Sequence, residues 1–215
     1  MNEEGGYLGQ VTYQCVYSGV LDRLKEKNRN DPAASMAIQK IRSALKACDQ
    51  TSPGFLFDFT RVLLSDAAID INIQEAYLRM QATASTDDLI IHASPEVREF
   101  KELSERAINL RHVLARVPEE MSDRRTFLET IKEIATSIKK LLEATNATLH
   151  VVPESAQQAV EKRKREFVHY SKQFSNTLKD YFRDQNALQV AVSANKLIFQ
   201  TTLIIRTVND KLRKR

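Results

Sequence analysis

Residues 118–149, PEEMSDRRTFLETIKEIATSIKKLLEATNATL, place apolar side chains at Met121, Phe127/Leu128, Ile131, Ile134/Ala135, Ile138 and Leu141/Leu142. Steps of three and four put all of them on one side of a helix that turns every 3.6 residues, along about eight turns. Three other stretches repeat the pattern. Before it come Val97, Phe100, Leu103, Ile108, Leu110/Leu114 and Val117. After it come Ala156, Val160, Phe167, Tyr170, Phe174, Leu178 and Tyr181/Phe182. Beyond the break Asp184-Gln185-Asn186 follow Leu188, Val192, Leu197/Ile198, Thr201, Ile204/Ile205, Val208 and Leu212. Four amphipathic helices with short connections predict an all-α chain whose residues 96–215 form a four-helix bundle. The alternation in Leu188-Gln189-Val190-Ala191-Val192 is too short to argue for a strand.

Residues 1–70 read differently. Shorter helices are predicted near 7–27, 33–48 and 53–64, then a loop over 65–71 and a further helix near 72–84. Such a unit has a thin core, and small helical units often complete themselves by association. Phe55 to Leu64 is apolar almost all round, which in a helix means burial on more than one side. A dimerisation domain over 1–70 is therefore expected, the alternative being one domain continuous with the bundle. Residues 71–95 are assigned to a linker with a short helix. Prolines punctuate the chain: Asp31-Pro32, Ser52-Pro53 and Ser94-Pro95 each offer a capping oxygen next to a proline at a first helical position. Asn72-Ile73-Gln74-Glu75 has capping-box spacing.

Composition removes whole classes of function. Glycine occurs five times in 215 residues, the last at Gly54. Loops that cradle phosphates, dinucleotide fingerprints and nucleophile elbows need glycine where backbone approaches a ligand or turns with positive φ. His92, His112, His150 and His169 stand alone, with no HExxH and no metal-ligand spacing, so no catalytic residues, metal or cofactor are assigned. Cys15 and Cys48 are too few for a disulfide framework. No apolar run approaches the ~20 residues of a membrane span, and Met1-Asn2-Glu3-Glu4 lacks signal-peptide character, so a cytoplasmic protein is expected. Residues 1–94 hold nine basic and twelve acidic side chains, net −3, while residues 95–215 hold 23 and 16, net +7. The halves are expected to meet different partners. The charge is modest and no recognition motif accompanies it, which speaks against nucleic acid.

One constellation stands out. Lys132, Ala135 and Lys139 share a helix face at spacings of three and four, and so do Lys172, Ser175 and Lys179 on the next helix. Each helix presents a small residue between two lysines whose stems can lie along the protein while the ammonium heads reach outward. Adjacent, the two faces form a groove with a shallow floor and basic rims, walled by Ile131, Ile138, Phe174 and Leu178. Such a groove suits an amphipathic helix bearing leucines and flanking acids. Apart, they are two solvated lysine faces.

The runs Phe127-Leu128-Glu129-Thr130-Ile131-Lys132-Glu133-Ile134-Ala135, Glu166-Phe167-Val168-His169-Tyr170-Ser171-Lys172-Gln173-Phe174-Ser175, Tyr181-Phe182 and Val192-Ser193-Ala194-Asn195-Lys196-Leu197-Ile198 closely resemble the programmed cell death protein 10 family, also called cerebral cavernous malformations protein 3. Ser52-Pro53-Gly54 and Leu78-Arg79-Met80 anchor the likeness in the first half. The resemblance implies a non-enzymatic adaptor: an N-terminal helical dimerisation domain, a linker, and a C-terminal bundle similar to focal-adhesion-targeting domains. It implies pairing with itself or with germinal-centre kinases of the sterile-twenty class, through a surface including Ile41, Ala44, Leu63 and Leu64. It also implies binding of leucine-aspartate helices, as in paxillin and the cavernous malformation scaffold protein, along Lys132, Ala135, Lys139, Lys172, Ser175 and Lys179. Striatin assemblies, and Golgi and cell-junction association, belong to the same expectation. A second expectation from the basic half is a phosphoinositide membrane contact through Lys162 to Arg165 or Lys211 to Arg215.

Overall fold

The computed structural model describes residues 3–213, with no strand among them, and divides after Ser85 into two compact units.

The first unit contains α1 (Glu3–Thr12), a wider π-helical turn over Tyr13–Ser18, α2 (Gly19–Lys27), α3 (Pro32–Thr51), α4 (Phe55–Asp66) and α5 (Ile73–Met80). Its core is small: Tyr7, Val11, Leu21, Ile38, Leu56, Tyr77 and Leu78 are the buried apolar side chains before Ser85 among the described residues. Hydroxyls reinforce it. Tyr7 Oη donates to Gln74 Oε1 at 2.9 Å, Thr12 Oγ1 donates to Tyr77 Oη at 2.9 Å, and the Tyr17 and Thr60 hydroxyls bond at 2.9 Å. Burial pushes the Tyr77 phenol up to about 12, so it stays protonated and serves as a fixed hydrogen-bonding post. These bonds tie α5 to α1, so α5 belongs to this unit instead of hanging in a linker over 71–95.

Of the three serine- or aspartate-capped prolines expected, Asp31 caps a helix, accepting from Ala33 N at 2.9 Å and Ala34 N at 3.0 Å. The other two make turns. In Ser52-Pro53-Gly54-Phe55 the Phe55 N–H donates to Ser52 O at 3.0 Å and Gly54 sits at φ 94°, ψ −3°. That is a type II turn, which takes proline at its second position and glycine at its third. In Ser94-Pro95-Glu96-Val97 the Val97 N–H reaches Ser94 O at 3.2 Å, and the next helix starts after Val97. Asn72 caps α5 through Glu75 N at 3.2 Å, while the Glu75 carboxylate turns to Arg79, leaving the reciprocal arm of the capping box unmade.

The second unit contains a 3₁₀ turn at Asp87–Leu89, α6 (Arg98–Ala115), the single turn α7 (Val117–Glu120), α8 (Arg124–Val151), α9 (Glu154–Asp184) and α10 (Ala187–Arg213). The stripe of residues 118–149 is therefore not one helix. It breaks at Met121–Asp123, where Asp123 accepts from Thr126 N at 2.9 Å and starts α8. These backbone donors hold the Asp123 carboxyl below its ordinary value. α6 packs on α8 and α9 on α10, with α10 also against α6. α10 is long and apolar enough to cross a membrane by composition, beyond what its apolar runs suggested, yet 61% of its most apolar window is buried. Val190, Ala194, Leu197, Ile198, Ile204, Ile205 and Val208 spend that character on the bundle core.

Residues 87–92 are strapped to the bundle. Leu89 and Ile91 are buried, Ser104 Oγ accepts from Ile91 N at 3.0 Å, and Asn209 accepts from His92 N at 2.9 Å while donating to Ile90 O at 2.8 Å. Asp88 pairs with Arg111, whose side chain is 1% exposed. Removing one partner of a buried pair strands the other charge. Asp88→Ala should lower the bundle's unfolding free energy by about 3 kcal/mol in urea denaturation, whereas Asp87→Ala, an exposed carboxylate next to it, should leave the transition in place. Equal transitions for the two variants would contradict the strap.

Candidate functional site

The two-residue connection Val152-Pro153 brings α9 back beside α8, as short connections do in bundles. Near one end the Phe127 ring meets Tyr181 at 5.5 Å and Phe182 at 5.7 Å between centroids. Near the other, Lys164 Nζ donates to Asn146 Oδ1 at 3.0 Å. The helices therefore run antiparallel in a fixed register. Both rise 1.5 Å per residue, so Lys132 is level with Lys179, Ala135 with Ser175, and Lys139 with Lys172. The six residues picked out by spacing therefore lie level in three pairs along α8 and α9, basic, small, basic, the three rungs of a candidate groove, and all six are exposed.

The walls differ from expectation. Ile131 and Ile138 are half-buried and can line the groove, but Phe174 and Leu178 are buried. On α9 those two lie on the stripe that faces the bundle interior, so they support the floor from below. The groove is correspondingly shallow.

Its electrostatics favour an acidic ligand. Lys132, Lys172 and Lys179 have neither an ion pair nor a hydrogen bond among the described residues, and Lys139 has a loose 3.9 Å contact to an exposed Glu143. Neighbouring acids are drawn elsewhere, Glu133 to Arg116 at 2.7 Å and Asp180 to Arg183 at 2.8 Å. The densest basic run behaves oppositely. Lys162 and Arg163 pair with Glu166, and Lys164 and Arg165 with Glu161. Its charge is half consumed within the helix. Lys211 and Arg213 lie in the last turn of α10, while Lys214 and Arg215 fall outside the described residues.

The ladder also extends further than the lysine spacing indicated. Leu128 is level with Phe182, one turn beyond Lys132 and Lys179, and both are exposed, at 43% and 40%. The signal was in the sequence, since Leu128 precedes Lys132 by four and Phe182 follows Lys179 by three. Spacing alone could not show that these apolar residues face outward.

The first unit offers a second surface. Of fifteen exposed large apolar side chains among the described residues, eleven lie before Ser85. Ile41 and Leu63 are half exposed, Ala44 is exposed and Leu64 half-buried, and α4 adds Phe55, Phe59 and Val62 to the outside. Only Leu56 and Thr60 of α4 are buried. Phe55 and Phe59 stack at 5.8 Å. At the end of α4 a hollow of about 450 Å³ is lined by Leu64, Ile69, Ile71 and Ile73 together with the charged Arg61 and Asp70. Phe55, Phe59, Val62 and Leu63 share one face of α4 by their spacing, and an exposed apolar helix face of this kind points to an interaction site. Elsewhere the chemistry is sparse. His112, His150 and His169 are exposed, Cys48 is exposed and Cys15 half-buried, and no three His, Cys, Asp or Glu side chains converge among the described residues.

Two family models match the chain. Residues 5–70, spanning α1 to α4, match the programmed cell death protein 10 dimerisation domain, and residues 71–161 match the programmed cell death protein 10 C-terminal region. The chain belongs to the programmed cell death protein 10 family. Among its relatives is a programmed cell death protein 10 homolog of Caenorhabditis elegans, 64% identical over 214 residues and covering both chains in full. The match to the family's dimerisation domain falls on the unit that leaves most of its large apolar side chains exposed, and a dimerisation domain supports self-association. The family's C-terminal match begins at α5, which here is packed into the first unit.

Charge placed in an apolar contact is costly to desolvate. Ile41→Asp with Leu63→Asp should therefore give a monomer of 24.6 kDa by light scattering with unchanged helicity, both positions being half exposed in the single chain. A mass that stays at twice that value would show that pairing uses another face.

Proposed function

We propose that this chain is a non-enzymatic adaptor that pairs through its first unit and reads an acidic helical ligand with its bundle. The observation that carries the second half is the ladder: two exposed small residues lie level on α8 and α9, and three of the four lysines flanking them are unpaired among the described residues. An amphipathic helix can lie close over Ala135 and Ser175, its leucines against Ile131 and Ile138 and its carboxylates beside the lysines. Leucine-aspartate motifs of the paxillin kind, and of the cavernous malformation scaffold protein, have that chemistry. The apolar face of the first unit suits either a second copy or the helical tail of a germinal-centre kinase of the sterile-twenty class. The two would compete for Ile41, Ala44, Leu63 and Leu64. The adaptor would then bring a kinase, and the striatin assemblies that regulate it, to whatever the bundle holds, in the cytoplasm, at the Golgi and at cell junctions. Neither role needs a cofactor. The internal pairing of Lys162 to Arg165 favours this reading over a phosphoinositide contact through that run.

Rim lysines act mainly on association rate and specificity, and salt screens them. A fluorescent leucine-aspartate peptide should bind the wild type, bind less tightly as salt rises, and lose at least about tenfold in affinity to Lys132→Glu/Lys172→Glu, a change of about 1.4 kcal/mol. That variant should unfold at the wild-type midpoint, because both positions are exposed. Undiminished binding would refute the groove.

A further inference from the structure

We propose that the groove continues past the Lys132/Lys179 rung into a separate aromatic subsite, which takes a large apolar side chain, followed by an acid, from the same docked helix. This inference rests on the helix-binding reading of the groove and adds a specificity element to it.

Four large apolar side chains of the bundle are exposed: Leu128, Val151, Phe182 and Leu188. Three of them, Leu128, Phe182 and Leu188, lie at the end where α8 begins, α9 stops and α10 starts. Leu128 and Phe182 form the next rung of the ladder. Beyond them Arg124 is level with Gln185, and here the surface opens into a cavity of about 250 Å³ lined by Met121, Arg124, Phe127, Tyr181, Phe182 and Gln185. The backbone makes this opening. Were residues 118–149 one continuous helix, α8 would run on past Arg124, but the break at Met121–Asp123 turns the chain aside. On the other side Gln185 takes a left-handed conformation, φ 56°, ψ 27°, and ends α9 at the same level. The floor is aromatic, with Phe127 buried against Tyr181 and Phe182. Arg124 at the rim has no hydrogen bond or ion pair among the described residues.

Charge and continuity together specify the occupant. The subsite continues a groove whose unpaired lysines call for an acidic helix, and it ends in an unpaired guanidinium. Leu128 lies seven residues from Ala135 along α8. A ligand helix lying along the groove has the same 1.5 Å rise, so a side chain about seven residues from the one over Ala135 reaches the aromatic floor. Positions seven apart share a helix face. A carboxylate about one turn further on meets Arg124. A short motif that ends over the lysines leaves the subsite empty, and a longer one gains a buried apolar anchor, the kind of contact that dominates interface energetics.

The test is fluorescence anisotropy on the full chain with three labelled peptides. One is a leucine-aspartate helix of about twelve residues, and two extend it at either end by about eight residues carrying phenylalanine and then glutamate in that register. One extended peptide should bind about tenfold tighter than the short one. Phe182→Ala and Leu128→Ala should each remove most of that gain, Arg124→Glu should reduce it, and the short peptide should bind all three variants within about twofold of wild type. Extensions that bring no gain, or a gain that survives both alanine variants, would overturn the subsite. An equal loss for the short peptide would show that the cavity belongs to the main groove. Failure of the short peptide to bind the wild type would overturn the groove reading, and the subsite with it.

Discussion

The antiparallel register of α8 and α9 is the constraint on which the proposed ligand-binding surface depends. Lysine, small residue and lysine are spaced three then four on α8. Read in the opposite chain direction, α9 gives four then three. Antiparallel packing brings the two series level to within a residue, whereas a slip of about one turn would set lysines against the small residues and close the low point of the groove. The register is held at both ends, by the Phe127 ring between Tyr181 and Phe182 and by the Lys164 hydrogen bond to Asn146. Aromatic pairs in such geometries contribute about 0.5–1.5 kcal/mol beyond their area. The cluster that fixes the register also forms the floor of the cavity at the groove's end.

The two units meet the problem of a limited core in different ways. The bundle packs α9 and α6 on α10, whose apolar face is broad enough to bury Leu197, Ile198, Ile204 and Ile205 together, and it adds the strap of residues 87–92. The first unit cannot do this. Its five helices enclose few apolar side chains, rely on tyrosine and threonine hydroxyls to join α1 to α5 and the π-helical turn to α4, and leave Phe55, Phe59, Val62 and Leu63 outside. Close approach is used where it can be: a Cβ on Gly9 would sit 2.0 Å from Asp49 Oδ2, so α1 meets α3 there through a hydrogen. A unit built this way reaches full burial only against a partner, consistent with its match to the family's dimerisation domain.

Much of this was legible in the sequence, because helical periodicity survives without knowledge of tertiary contacts. The four long stripes, the groove lysines and the over-apolar α4 all follow from spacing. Features decided by competition between local and distant partners did not. Ser52-Pro53 and Ser94-Pro95 have the chemistry of helix caps, but the same residues suit turns, and the left-handed Gly54 settles the first. The break before α8 lies inside an uninterrupted apolar stripe, and only the Asp123 cap reveals it. Residues 71–95 are polar enough to read as a linker, yet Tyr77, Leu78, Leu89 and Ile91 are buried. Phe174 and Leu178 were placed on the right helix and the wrong side of the groove floor, since a stripe gives a face without saying how deep it sits.

The central claim is that one face, the α8–α9 groove, reads an acidic helix. Chemical-shift mapping of backbone amides during titration with a leucine-aspartate peptide tests it most directly. The account predicts changes concentrated at Lys132, Ala135 and Lys139 and at Lys172, Ser175 and Lys179, with α6 and α10 largely silent. Changes centred on α6 and α10, or on the first unit, would contradict it.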